Sequence, residues 1–282
     1  MTSKIALVVD SACDLSDEVL HKYNIHMIPL RIVYKAAEYR DRVDISSDEV
    51  YAKLPVEIPK TSLPSQKDVS DVYEKLVRDG ITDVAHFCVS SGLSGTYDAV
   101  RIMTQQFTDK LNIRFVDTRS LSYQEGFMVL ECARKLEDGI ELDQAIKEVL
   151  HMRDHSFGAF IVQTLEYLRK GGRIGLVEGA VGKILQIKPI IYVNDQGVYQ
   201  TLAKARGYKQ AVELMLKAFV ERFGQKLVRI TVVHGAAEQD GQNLLNKISG
   251  LLNIKEHSLR PVSPVLGVHT GPGLLGIIAY EV

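Results

Sequence analysis

Short apolar runs alternate with longer stretches whose apolar positions recur every three or four residues, and this alternation organises the first half of the 282-residue chain. Ile5–Val9 is apolar throughout, the mark of a strand covered on both faces. Asp10, Ser11 and Asp14 follow, so the strand ends in a polar loop ahead of a predicted helix over Leu15–Tyr23. His26–Tyr34 reads as a second strand, Val84–Val89 as a third and Ile113–Val116 as a fourth. Between and after them the spacing predicts helices over Ser46–Leu54, Asp68–Asp79, Thr96–Phe107, Tyr123–Leu136 and Leu142–Asp154. Ser46 and Glu49 stand at capping-box spacing at the start of the first of these. Strands alternating with helices imply a largely parallel sheet with helices on both faces.

The second half has a different rhythm. Phe157–Val162 reads as a strand, and a helical stretch around Leu165–Leu168 runs into Gly171, Gly172 and Gly175. Lys188–Val193 and Val198–Ala203 are strands joined by Asn194-Asp195-Gln196-Gly197, a hairpin signal. A long helix over Gly207–Phe223, a strand at Val228–Val233, a helix at Gln239–Leu252 and a last strand at Leu274–Tyr280 complete the pattern. The expected fold class is α/β with two domains, 1–155 and 156–282, and a ligand cleft between them.

Composition narrows the function classes. Apolar residues are 46% and charged residues 24%, which supplies a full core with material left to line a cavity. A net charge of −1 offers no basic field for a phosphate backbone, so no nucleic acid partner is expected. No apolar run approaches the roughly 20 residues of a membrane helix, so no stable membrane insertion is expected. The opening MTSKIALVVD lacks a signal-peptide pattern, and Cys13, Cys88 and Cys132 form no close pair; a reducing, cytoplasmic location is the expectation.

Three polar loops interrupt the apolar framework: Lys60–Gln66, Ser90–Tyr97 and His269–Gly273. The second follows a buried strand and opens a helix, at the carboxyl end of a parallel sheet where ligands sit. Unpaired N–H groups and the positive end of the helix dipole favour an anion there. Gly92 and Gly95 admit close backbone approach, and Ser94 adds a hydroxyl. Capping of the helix by Ser94 or Thr96 is a second job compatible with the first. The first loop offers the adjacent hydroxyls of Thr61 and Ser62; the third sets His269 and Thr270 beside two glycines and a proline.

The combination resembles the DegV family of fatty-acid-binding proteins along essentially the whole chain. The matching segments are VVDSACDLS, KTSLPSQ, SSGLSGTYDAV, FVDTRSLS, LEYLRKGGRI, KPIIYV, Lys204–Arg206, VVHGAAEQD and HTGPGLLGI. Leu63-Pro64 departs from the Gln-Pro common in the family and leaves both hydroxyl positions intact. The resemblance implies one long-chain fatty acid, such as palmitate, buried between the domains. Its carboxylate would be held by Thr61 and Ser94 with the backbone at Ser62 and Gly95, and Arg206, His269 and Thr270 would complete the polar head. It also implies a carrier in phospholipid metabolism that presents the acid to a separate fatty acid kinase, with no metal, no other cofactor and no catalytic residue of its own. Phe160, Leu165, Ile184 and Ile191 are candidates for the acyl tunnel.

Two rival readings follow from the residues alone. A serine esterase would use Ser94 with His269 or His234, although Gly92-Leu93-Ser94-Gly95-Thr96 lacks the second glycine of G-x-S-x-G. A metal enzyme would use Asp10, Asp14, Asp117 and the histidines, although no metal-ligand spacing is present and hydrogen bonding to loop N–H groups is the simpler role for Asp10 and Asp117. The run Arg169–Arg173 reads as a solvated helix end.

Overall fold

The computed structural model describes residues 4–177 and 187–282, so the tunnel candidate Ile184 lies outside the described residues. Four strands, β1 (Ile5–Asp10), β2 (Ile25–Ile28), β6 (Asp83–Cys88) and β7 (Asn112–Asp117), form a parallel sheet in the order β2-β1-β6-β7. Successive side chains of β1 point to opposite faces, and both faces are covered. Ala6 and Val8 meet Val69, Tyr73 and Leu76 of α3 (Gln66–Arg78), with Val100 of α4 (Thr96–Met103). Leu7 and Val9 meet Phe127, Met128 and Leu130 of α5 (Tyr123–Glu137), which α6 (Leu142–Asp154) supports. The all-apolar strand is therefore what a two-sided environment demands.

Between β2 and α3 the chain does something the hydrophobic pattern concealed. His26–Tyr34 is two strands, not one: Pro29 follows β2, and the chain turns into β3 (Arg31–Val33) of a separate antiparallel sheet. There β3 pairs with β4 (Glu38–Arg40) and with β5 (Lys60–Ser62), which sets Thr61 opposite Ile32. The short helices α1 (Asp17–Lys22) and α2 (Ser47–Lys53) complete this region, α2 with the predicted capping box of Ser46 and Glu49.

Beyond Asp154 the chain builds a six-stranded mixed sheet from β8 (Ser156–Ile161), β9 (Ile187–Val193), β10 (Tyr199–Arg206), β11 (Leu227–His234), β12 (Asn253–Pro261) and β13 (Leu275–Glu281), ordered β10-β9-β8-β13-β11-β12. All its pairings are antiparallel except β11 with β12. Phe157, Ala159 and Ile161 point to α8 (Tyr208–Phe223) and α9 (Glu238–Ser249) in one core. The opposite face presents Phe160, Ile191, Val233, Ile278 and Tyr280 to the first half, where they join Val9, Phe87 and Phe127 in a single larger core. Phe127 stacks on Tyr280 at 4.1 Å between ring centroids, one such bridge.

Two elements of the second half escape the sequence pattern. The segment Asn253–Pro261 is an edge strand of mostly exposed polar residues. The predicted His269–Gly273 loop is a loop only in part, because His269 and Thr270 form the last turn of α10 (Pro264–Thr270), with Pro264 in its first turn. The short helix α7 (Glu166–Lys170) packs beside α10.

Candidate functional site

The parallel sheet ends on carboxylates, most of them buried, that hold loop backbone in place. Asp10 accepts from Ala12 N (3.0 Å) and from Val89 N (2.7 Å). Asp117 accepts from the Ser91 and Arg119 N–H groups at 3.1 and 3.0 Å. Asp14 accepts from the Ser122 hydroxyl at 2.5 Å and from Ser263 N at 2.7 Å, while Asp41 accepts from Val265 N at 2.9 Å. The last two clasp the start of α10 to the first half and so position its far end. Among the described residues no group of His, Cys, Asp and Glu has the arrangement of a metal site.

At that far end His269 meets Thr61. The imidazole Nε2 lies 2.8 Å from Thr61 Oγ1, although the two residues are 208 positions apart. Burial, with the charge of Arg173 adding to it, pushes the His269 pKa down to about 3, so the ring is neutral. Its Nδ1 is buried without a hydrogen-bond partner among the described residues. That nitrogen lies 2.2 Å from where a Cβ on residue 171 would stand, so only glycine fits at Gly171. Assigning the single proton to Nε2 makes the ring a donor to Thr61. The Thr61 hydroxyl proton is then free to donate onward to an anion.

The Ser90–Gly95 loop closes on the same corner. Ser94 Oγ shares a hydrogen bond of 2.8 Å with Thr96 Oγ1 and accepts from Thr96 N at 3.3 Å, at the start of α4. Gly95 is the N-cap residue itself, exposed, and the Leu63 side chain comes within 3.7 Å of its missing Cβ, which joins the first and second loops. Ser62 is exposed beside Thr61. Neither histidine of the esterase reading bonds to Ser94: His269 holds Thr61, and His234 accepts from Ala237 N.

Thr270 and Arg206 stand differently from Thr61 and Ser94. The Thr270 hydroxyl donates to Leu266 O within its own helix, at 2.9 Å, so it is committed to backbone. Arg206 sits exposed at the end of β10. Arg173 takes the position nearest the corner instead: its Nη1 donates to Gly171 O at 2.7 Å and its Nε reaches Leu93 O at 3.4 Å. Reading the Arg169–Arg173 run as a solvated helix end overlooks this residue. Its signal was the glycine pair before it, which lets the chain fold Arg173 back beneath His269.

An apolar slot lies between the halves, a narrow cavity of about 50 Å³ that Thr270, the neighbour of His269, helps to line. Thr270, Leu266 and Leu274 line it near His269, and Phe160, Tyr199 and Ile278 line it farther in. Phe160 is thus placed as the sequence suggests. Ile191 is packed fully in the core behind that wall, and Leu165 lies against the core without lining the slot.

Known proteins match the chain over its full length. A family model described as an uncharacterised protein of the DegV family matches residues 4–282. A DegV domain-containing protein of Clostridium acetobutylicum is 42% identical over 278 residues, covering 99% of each chain. Among solved structures, a DegV family protein from Thermus thermophilus, described for its fatty acid binding, superposes with a TM-score of 0.92 at 32% identity, covering 99% of this chain and 100% of that one. A stearic acid-binding protein from Eubacterium ventriosum gives 0.90 at 28% identity, covering 98% of each chain. A full-length family match and a 42% identical relative leave one conclusion: the chain belongs to the DegV family.

Proposed function

We propose that this protein binds one long-chain fatty acid between two domains, 1–155 and 156–282, and presents its carboxylate to a separate fatty acid kinase. The observation that carries the reading is the Thr61–His269 pair, a hydroxyl oriented by a neutral buried imidazole whose neighbour Thr270 lines the apolar slot. A carboxylate drawn out of water loses several kcal/mol of hydration and needs donors in return. Thr61, Ser94 and the N–H groups at Ser62 and Gly95 supply them, with the Arg173 charge close by. Arg206, farther out, is free to engage a partner. Each methylene entering the slot adds about 0.8 kcal/mol, so the chain provides most of the affinity.

The site is polarised in a way that suits handover. Ser62 and Gly95 are exposed, so the head end lies near the surface while the chain is enclosed. A carrier role is consistent with Ser94, whose hydroxyl is engaged with Thr96 and makes no hydrogen bond to a histidine among the described residues. Mass spectrometry of lipid released from the denatured protein tests binding directly. A stoichiometric long-chain acid is the expected result; an empty protein that also takes up no added acid refutes the reading. Acyl phosphate formation by a fatty acid kinase, measured with and without this protein, tests the handover, and equal rates would refute that part alone.

A further inference from the structure

We infer that Gln124 is the stop at the far end of the acyl slot and therefore a residue that sets the length of the bound chain; the inference rests on the fatty-acid reading above. Gln124 stands in the first turn of α5, and its side chain crosses the gap to β8 of the other half. Its amide nitrogen donates to Ser156 Oγ at 2.8 Å, and Ser156 Oγ in turn donates to Arg153 O at 2.7 Å, so the amide is anchored. Its carbonyl oxygen lies flat on Gly158, only 2.6 Å from where a Cβ would stand, with Ile278 at 3.5 Å from the same point. Amide, glycine and isoleucine together close the slot.

What lies beyond the amide is chemically different. Gln124, Gly158 and Val193 line both the slot and a second, polar cavity of about 330 Å³. The other walls of that cavity are mostly charged or polar, and include Arg119, Arg153, Arg222 and Asp195. Neither Arg119 nor Arg222 has a carboxylate partner among the described residues; they donate to the backbone oxygens of Asp195 and Ser156. A methylene pushed past Gln124 would strip water from these guanidinium groups and return no hydrogen bond. The boundary between a space that rewards methylenes and one that rejects them thus falls at a single side chain.

The test offers the protein an equimolar ladder of saturated fatty acids of graded length and measures the bound fraction by mass spectrometry. Gln124→Ala removes the stop and vacates about three carbons' worth of chain length. Each further buried methylene is worth about fourfold in affinity, so over three carbons the preference moves toward longer acids by about fiftyfold. Gln124→Met fills the same length but offers Ser156 no amide to hold, so it shifts the profile toward longer acids by less than Gln124→Ala does. Ser156→Ala leaves the amide in place without its anchor and broadens the profile toward longer acids, which decides the matter if Gln124→Ala does not fold. A profile unchanged in Gln124→Ala, or in Ser156→Ala where only that variant folds, overturns the inference. A native protein that takes up no acid from the ladder overturns the fatty-acid reading itself, an outcome distinct from an unshifted profile.

Discussion

Thr61 and His269 form a donor relay whose strength depends on the imidazole staying neutral. Replacing Thr61 by Val removes the hydroxyl at nearly constant volume and should weaken fatty acid binding about 10- to 100-fold, the worth of one hydrogen bond to a charged acceptor. Thr61→Ser should recover most of it; displacement of a fluorescent fatty acid measures both. The depressed pKa of His269, about 3, has a consequence for pH. A ring that stays neutral throughout the physiological range cannot switch the site, so affinity should be flat between about pH 6 and pH 8. An inflection near pH 6.5 that vanishes in His269→Gln would show the ring to titrate after all. Sequence made the residue types at this corner legible, since Thr61, Ser94 and His269 each stand in a conspicuous polar loop. It hid Arg173, because a basic residue after two glycines has the same local appearance whether it points to solvent or folds under a helix end.

Among the elements, α2 and α10 rest on different kinds of support. Helix α2 is closed by the Ser46–Glu49 box on an exposed face. Ser46→Ala should therefore cost about 1 kcal/mol in chemical denaturation without affecting ligand binding. Helix α10 has no side-chain cap of its own, and Asp14 and Asp41 of the other half take its first N–H groups instead. Asp14→Ala leaves Ser263 N and the Ser122 hydroxyl buried without an acceptor, at about 1–3 kcal/mol each. It should destabilise the protein by about 2–5 kcal/mol and weaken binding as well, since His269 rides on the same helix. The same dependence explains why α10 escaped the periodicity. With Pro264 at its start, Gly267 within it and both faces buried, it shows no apolar stripe, and its helical form is imposed by what packs around it. The edge strand Asn253–Pro261 was missed for the converse reason: it is largely exposed, so alternation left little mark on it.

For the molecule as a whole, buried carboxylates at the junction couple stability to pH. Burial pushes Asp10 and Asp14 up from 3.8 to about 6 and Asp41 to about 7. A folded-state pKa above the unfolded value means that the native state binds the proton more tightly. The stability these groups contribute is full below pH 3.8 and is lost as pH rises through 6 to 7. Asp41→Asn mimics the protonated form and keeps the acceptor for Val265 N, so relative to the native chain it should gain stability as pH rises from 5 to 8. Urea denaturation at the two pH values checks the sign, and an equal difference at both would refute it. His86 and His269, both held near 3, act oppositely below pH 6.5, where the unfolded chain takes up protons and the native one does not. Ligand acts on the same balance: stripping the bound acid should lower the melting temperature, and restoring it to about 100 times its Kd should return about 2.7 kcal/mol.

The sequence by itself determined what is local. All-apolar runs and period-3.6 patterns marked most strands of the parallel sheet and the long helices, and the capping box and the Asn194–Gly197 hairpin read correctly. These depend on interactions within a few residues, which a linear pattern records. Only the tertiary structure decided which loops meet. Thr61 reaches His269 across 208 positions because β3 aligns β5 and because two aspartates pin α10. It likewise turned the second sheet so that Phe160 and Ile278 face the first half and help to line a slot between the halves. Packing between layers follows from the shapes and volumes of whole faces, a sum over many weak contacts that no single stretch of sequence carries.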